Sequence, residues 1–217
     1  MRSPEANIRL YLEEKISIAK NFPVWEVSLL ARAVLDSYEH DGSIYTFANG
    51  GPAGVAEGFA TDLKIHPFVS ENKILTTDIR RLKAHCLNES SGVITGVSND
   101  LGYEFIFAEQ LKNFLRSPDQ NEHDVLIGFS ASGNSKNVIK AFEYAKEYGV
   151  TTACVSGRDG GKARELCDIC IVIPGTSQFP GQTGGNDNNF HIEDFQTSVT
   201  HMITGLLKEK VMLNHAR

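Results

Sequence analysis

Asp124-Val125-Leu126-Ile127-Gly128-Phe129 is followed by Ser130-Ala131-Ser132-Gly133-Asn134-Ser135 and then by an amphipathic run from Asn137 to Tyr148 that stops at Gly149. The first six residues are a short apolar run and predict a buried strand. The next six are small and polar and predict a tight loop. The third segment predicts a helix, closed by a glycine one position past its end. Strand, small-residue loop, helix is the repeating unit of an α/β fold, and the reading of the rest of the chain follows from it.

Downstream the pattern recurs. Thr151–Ser156 reads as a strand, 157–161 as a glycine-rich turn, Lys162–Leu166 as a helix and Ile169–Ile173 as another strand. Upstream, Ser43–Ala48 reads as a strand, Asn49-Gly50-Gly51-Pro52 as a turn, and Ala53–Leu63 as a helix with Pro52 in its first turn, where the missing N–H costs nothing. Alternation at these lengths predicts a three-layer α/β sandwich around a mainly parallel sheet. Right-handed crossovers then bring the Asn49 loop and the Ser130 loop to the carboxyl edge of that sheet, where ligands bind in such folds.

The remaining segments are less regular. Two helices, Pro4 to about Lys20 and one opening at Pro23 and ending near Asp41-Gly42, precede any strand and suggest a hairpin that caps the domain or packs on another subunit. Between Pro67 and Thr95 the strand candidates are Ile74–Thr76 and Gly92–Thr95, followed by a helix from about Tyr103 to Leu115. Pro174–Asn189 is rich in Gly, Asn, Gln and Ser without periodicity, the mark of a lid or functional loop. A helix from about His191 to Met212 closes the chain. The expected organisation is a single domain, with 1–41 as an oligomerising hairpin and 42–217 as the α/β core.

Composition narrows the function classes. The 217 residues are 41% hydrophobic and 22% charged, ordinary for a globular chain. The formal net charge of −6 argues against nucleic acid or an anionic membrane as the main partner. It leaves room for a small anion held locally. Met1 to Leu10 has no apolar core of signal-peptide length, and no run approaches the ~20 apolar residues of a membrane span. Cys86, Cys154, Cys167 and Cys170 are few and irregular, so a reducing, cytoplasmic location is expected. Cys167 and Cys170 form a C-x-x-C, but it supplies only two zinc ligands and falls against a predicted strand, so a structural role is expected over a redox or metal role.

Small residues at a strand-to-helix junction let several backbone N–H groups point at one spot, and the helix end adds a positive partial charge. The loop with Ser130, Ser132, Asn134 and Ser135 is therefore a candidate phosphate cradle. The lysine of a Walker loop and the G-x-G-x-x-G of a dinucleotide fold are both absent. The competing reading is that the serines only cap the helix. The Asn49-Gly50-Gly51 loop in the same context favours a phosphorylated ligand between the two loops, held by neutral donors and helix ends rather than basic side chains.

The run Gly128 to Ser135 followed by Asn137-Val138-Ile139-Lys140-Ala141, together with Ser156-Gly157-Arg158-Asp159-Gly160-Gly161-Lys162, Asn49-Gly50-Gly51 and Val97-Ser98-Asn99-Asp100 in matching order, resembles the SIS (sugar isomerase) domain family. The resemblance runs from about Leu12 to Leu207 and is closest to the phosphoheptose isomerases of that family. It implies a flavodoxin-like sandwich with a five-stranded parallel sheet, a homotetramer, and a phosphorylated sugar bound between subunits. Asn49, Gly50, Gly51, Asn99, Asp100, Ser130, Ala131, Ser132, Ser135 and Glu193 are the implied substrate-binding residues. Asp62 takes the place of the family's catalytic glutamate and His201 that of its histidine, the pair expected to move a proton between two carbons through an enediol. The implied reaction is aldose–ketose isomerisation of a ketose phosphate such as sedoheptulose 7-phosphate.

Besides Asp62, four further positions depart from the family pattern. A zinc-ligand histidine is Gly58, a serine is Pro52, a glutamine is Glu193, and an arginine is His66. Asp62, Glu193 and His201 could still hold zinc or another divalent ion, although Glu193 and His201 are eight residues apart, roughly 12 Å along a helix. The departures also leave open a non-catalytic phosphosugar-binding or regulatory protein, as in the replication-initiator-binding relatives.

Overall fold

The computed structural model describes residues 2–70, 72–73, 79–182 and 188–215. Five strands form one sheet: β1 (Ser43–Ala48), β2 (Lys83–Cys86), β3 (Val125–Ser130), β4 (Thr151–Gly157) and β5 (Ile169–Ile173). Their order is β2-β1-β3-β4-β5 and every pairing is parallel. Central strands β1, β3 and β4 are buried almost end to end, as a sheet covered on both faces requires.

Helices α1 (Pro4–Lys20), α2 (Val24–Glu39), α3 (Gly51–Ile65) and α8 (Asn189–His215) cover one face. Leu30, Val34, Phe59, Leu63, Ile203 and Leu207 meet Ile44, Ile127, Phe129 and Val155 of the strands there. The other face carries α4 (Ser91–Asp100), α5 (Ala108–Leu111), α6 (Lys136–Glu147) and α7 (Gly161–Leu166). Tyr45, Phe47, Leu126 and Cys154 project to it, one residue out of step along the same strands, as the two-residue strand period dictates. Gly128 leaves the space in which Phe47 and Phe142 meet, their rings 5.3 Å apart.

Two expectations fail in the least regular part of the chain. Gly92–Thr95 is not a strand but lies in α4, because Ser90 caps that helix through the Val93 N–H at 3.2 Å and sets helical geometry from residue 91 onward. The edge strand is instead Lys83–Cys86, a four-residue piece whose alternating burial is too short to stand out from its neighbours. The segment from Tyr103 to Leu115 breaks into a 3-10 turn and the short α5 rather than one helix. Ile74–Thr76 lies outside the described residues.

Candidate functional site

The strand order reverses direction between β1 and β3: from β1 the chain crosses outward to β2, and from β3 it crosses the other way to β4 and β5. Loops leaving the carboxyl ends of these two neighbours diverge to opposite faces and open a crevice between them, the switch point at which open α/β sheets bind ligands. A cavity of about 340 Å³ lies there. Asn49, Gly51 and Pro52 line it from the β1 side, Ser130, Ala131, Ser132 and Ser135 from the β3 side.

The β3 loop is built to hold its shape. Ser130 Oγ accepts the Gly133 N–H and Ser132 Oγ accepts the Asn134 N–H, while Gly133 has φ +63° and lies so near the Gly160 carbonyl that no Cβ would fit. Asn134 ties the loop to the start of α7 by accepting the Lys162 N–H at 3.0 Å. Ser135 is the N-cap of α6, yet its hydroxyl makes no capping bond and lines the cavity. This serine opens to the cavity instead of capping its own helix through its side chain.

The β1 loop is fixed against the same helix. Asn49 and Asn137 exchange two amide hydrogen bonds, and Tyr103 Oη donates to Asn49 Oδ1 at 2.9 Å. Asn88 clasps the backbone of Ala48, accepting its N–H and donating to its carbonyl. Neither Tyr103 nor Asn88 was singled out by the sequence, although both close the loop from behind. Asn99 and Asp100 sit on the exposed last turn of α4, bonded to each other at 2.9 Å, and do not line the cavity. The helix ends at Leu101 and the chain turns at Gly102, and Tyr103, itself exposed, is the residue just beyond that bonds Asn49.

A basic side chain joins the site, contrary to the expectation of neutral donors alone. Arg158, at the end of β4 with φ +56°, lines the cavity and donates to Asn189 Oδ1 at 3.0 Å. Arg158 lies within the Ser156-to-Lys162 run that carried the family resemblance, but no residue of that run was among the expected site residues. Glu193 completes the lining from α8. Its carboxylate lies over the start of α3, where a Cβ on Gly51 would stand 2.6 Å from Oε2. Burial and the neighbouring Asp194 charge raise its pKa above the ordinary carboxylate range.

Asp62 and His201 also come together, but elsewhere. With His66, Thr204 and Gly205 they line a second cavity of about 240 Å³ between α3 and α8, farther along both helices. Asp62 is half-buried; His66 and His201 are exposed. The zinc set implied by the resemblance does not assemble within one chain. Gly58 offers no ligand atom, and Glu193 faces the first cavity while Asp62 and His201 face the second.

Within the Pro174–Asn189 loop, residues 174–182 are anchored. Glu14 of α1 accepts hydrogen bonds from Ser177 Oγ and the Gln178 N–H, and pairs with the fully buried His191 at 2.8 Å. Burial pushes the Glu14 carboxyl up, but these hydrogen bonds outweigh it and hold the pKa below its usual value. The cysteines are free. Cys170 lies directly across from Cys154 on neighbouring strands, and a hydrogen bond between their thiols, together with burial, pushes Cys154 well up. Burial raises Cys167 as well.

A family model described as SIS domain matches residues 24–157. Among curated proteins, a phosphoheptose isomerase of Helicobacter pylori (strain HPAG1) is 39% identical over 140 residues, covering 64% of this chain and 66% of that one. One from a Nitratiruptor species is 31% identical over 196 residues, 90% of each chain. Among solved structures, a phosphoheptose isomerase from Neisseria gonorrhoeae superposes with a TM-score of 0.77 at 24% identity over 95% of this chain and all of that one. Another, from Francisella tularensis, gives 0.78 at 22% identity over 96% of this chain and all of that one. Among the described residues no helix is long and apolar enough to cross a membrane.

Proposed function

The chain belongs to the SIS-domain family, and on that premise we propose that it is a phosphosugar aldose–ketose isomerase whose substrate is sedoheptulose 7-phosphate. The observation that carries this reading is the cavity at the β1/β3 switch point, where the free Ser135 hydroxyl, the serine loop, the start of α6 and Arg158 converge. Hydroxyls, a helix N-terminus and one guanidinium suit a phosphate dianion. Asn49 and Glu193 are polar groups for the sugar hydroxyls.

Isomerisation needs one group to take a proton from C1 of the ketose while the C2 carbonyl oxygen is protonated, giving an enediol. The O1 proton then leaves and C2 is protonated, so no oxidant or cofactor enters the balance. Asp62 and His201 are the acid/base pair of this reading. They lie outside the phosphate cavity of their own chain, and the reading joins them to a neighbour's cavity in a homotetramer. An exposed apolar row on α1 (Ile8, Leu12, Ile16) and Met202 and Leu206 on α8 support such an assembly, with the first two helices as its contact.

The second reading, a phosphosugar-binding regulator without turnover, draws on the same separation together with Gly58 and the short Asp62 carboxylate. Incubating the pure protein with sedoheptulose 7-phosphate and following the aldose by NMR decides between them. Turnover supports the isomerase; saturable binding without turnover across ketose phosphates supports the regulator.

A further inference from the structure

At the edge of the sheet opposite the serine loop, Asp36, His40 and His123 converge so that one ligand atom from each lies within 4.8 Å of the other two. Among the described residues this is the set of three metal-capable side chains that does so. Asp36 and His40 stand four residues apart at the end of α2, the spacing that places two side chains on one helix face. His123 arrives from the segment leading into β3. The two segments are locked together: Gly42 packs so tightly on the His123 carbonyl that a Cβ would sit 2.3 Å from its oxygen, and the Asp124 carboxylate accepts the Ser43 N–H at 2.7 Å.

His123 Nδ1 lies 2.8 Å from the Asp36 carboxylate, and His40 Nδ1 lies 3.1 Å from the same carboxylate and 3.0 Å from the Asp36 backbone carbonyl. Their rings lie nearly parallel, 13° apart with centroids at 4.1 Å. Asp36 and His40 are exposed and His123 is half-buried, so burial of the core does not account for the grouping. The two histidines border a cavity of about 230 Å³ whose wall also carries Asp119 and Glu122.

We propose that Asp36, His40 and His123 form a site for a divalent transition metal, zinc above others. Two imidazoles and a carboxylate suit zinc, whereas magnesium and calcium favour oxygen alone. With zinc–ligand bonds of about 2.0–2.1 Å, tetrahedral ligands stand about 3.4 Å apart. On binding, each Nδ1 gives up its proton and its hydrogen bond to oxygen, the neutral ring carrying its proton on Nε2 instead, and water takes the fourth position. The site is roughly 17 Å, the length of β1, from the Asn49 loop. It clamps the end of α2 to the lead-in of β3, and a clamp that binds the folded chain alone stabilises it.

The test is a zinc chloride titration of the full chain by calorimetry, with metal content measured after dialysis, on wild type, His40→Ala, His123→Ala and His201→Ala. The expected result is one zinc per chain, with affinity in His40→Ala and His123→Ala falling by more than the roughly ten- to hundredfold cost of outer-sphere changes. His201→Ala keeps the site. Cobalt in place of zinc gives visible absorption bands that vanish in the same two variants, and zinc raises the melting temperature only where the site is intact. Asp36→Asn serves as a further variant should an alanine exchange disturb folding. Wild type binding no zinc at micromolar concentration, or His40→Ala and His123→Ala binding as wild type does, overturns the proposal.

Discussion

Asn49 and Asn137 exchange two side-chain hydrogen bonds, at 2.8 and 2.7 Å, joining the loop after β1 to the first turn of α6. Asn137 is 2% exposed, so this pair is a buried strut under the crevice. Replacing it with alanine leaves Asn49 half-satisfied and lets the two loops drift. Asn137→Ala is expected to lose about 1–3 kcal/mol of stability in urea unfolding. Affinity for a sugar phosphate falls in parallel, measured by calorimetry.

Ser135 separates capping from ligand binding. An N-cap serine that bonds its helix costs about 1 kcal/mol when removed. The Ser135 hydroxyl makes no such bond. Ser135→Ala is therefore expected to melt like wild type while its phosphosugar affinity drops about tenfold or more, the value of a hydrogen bond to a charged group.

Arg158 supplies the cation among the residues that line the cavity. Arg158→Ala should weaken phosphosugar binding by about 1.5–3 kcal/mol and flatten its dependence on salt. Arg158→Lys recovers part of the affinity, because it keeps the charge and loses the planar fork.

Glu14 gives the fold an acid limit. Its pKa is held below the unfolded value, so the folded chain binds fewer protons than the unfolded one in that window. The stability it contributes is present above the unfolded carboxylate pKa, about 4.3, and is lost as pH falls through the depressed folded value. Glu14→Gln is expected to cost about 1–3 kcal/mol at pH 7 and progressively less as pH falls through the depressed folded value, read from denaturant melts over a pH series.

Glu193 works in the opposite sense. Its folded pKa is raised, so stability falls as pH climbs from the unfolded value through the folded one. Glu193→Gln removes a negative charge from the cavity between β1 and β3 and is expected to flatten this pH dependence and, if phosphate binds there as proposed, to tighten that binding several-fold. Unchanged binding in titrations with inorganic phosphate would count against the cavity as the phosphate site.

The strands β1, β3, β4 and β5 were legible in the sequence because each is a short run rich in apolar and β-branched residues between glycine or small-residue turns, and the central three are buried on both faces. The edge strand Lys83–Cys86 was not, since half of it faces solvent and four residues carry too little pattern. Gly92–Thr95 misled because Val93, Ile94 and Thr95 favour strands locally, whereas the Ser90 cap and the tertiary fold decide for helix. At the site, the serine loop was readable from its spacing. Arg158, Tyr103 and Asn88 were not, because a single charged, aromatic or amide side chain acquires meaning only when strand order brings it to the crevice.

In the proposed reaction this chain turns over a ketose phosphate with His201 as one of its proton carriers. Incubation with sedoheptulose 7-phosphate in deuterium oxide, followed by proton NMR, tests it most directly. Wild type is expected to yield the aldose with solvent deuterium at C2. His201→Ala should bind the sugar phosphate equally well and turn over about a hundredfold or more slowly. Wild type that binds the ketose phosphate yet forms no aldose and exchanges no carbon-bound hydrogen would contradict the account.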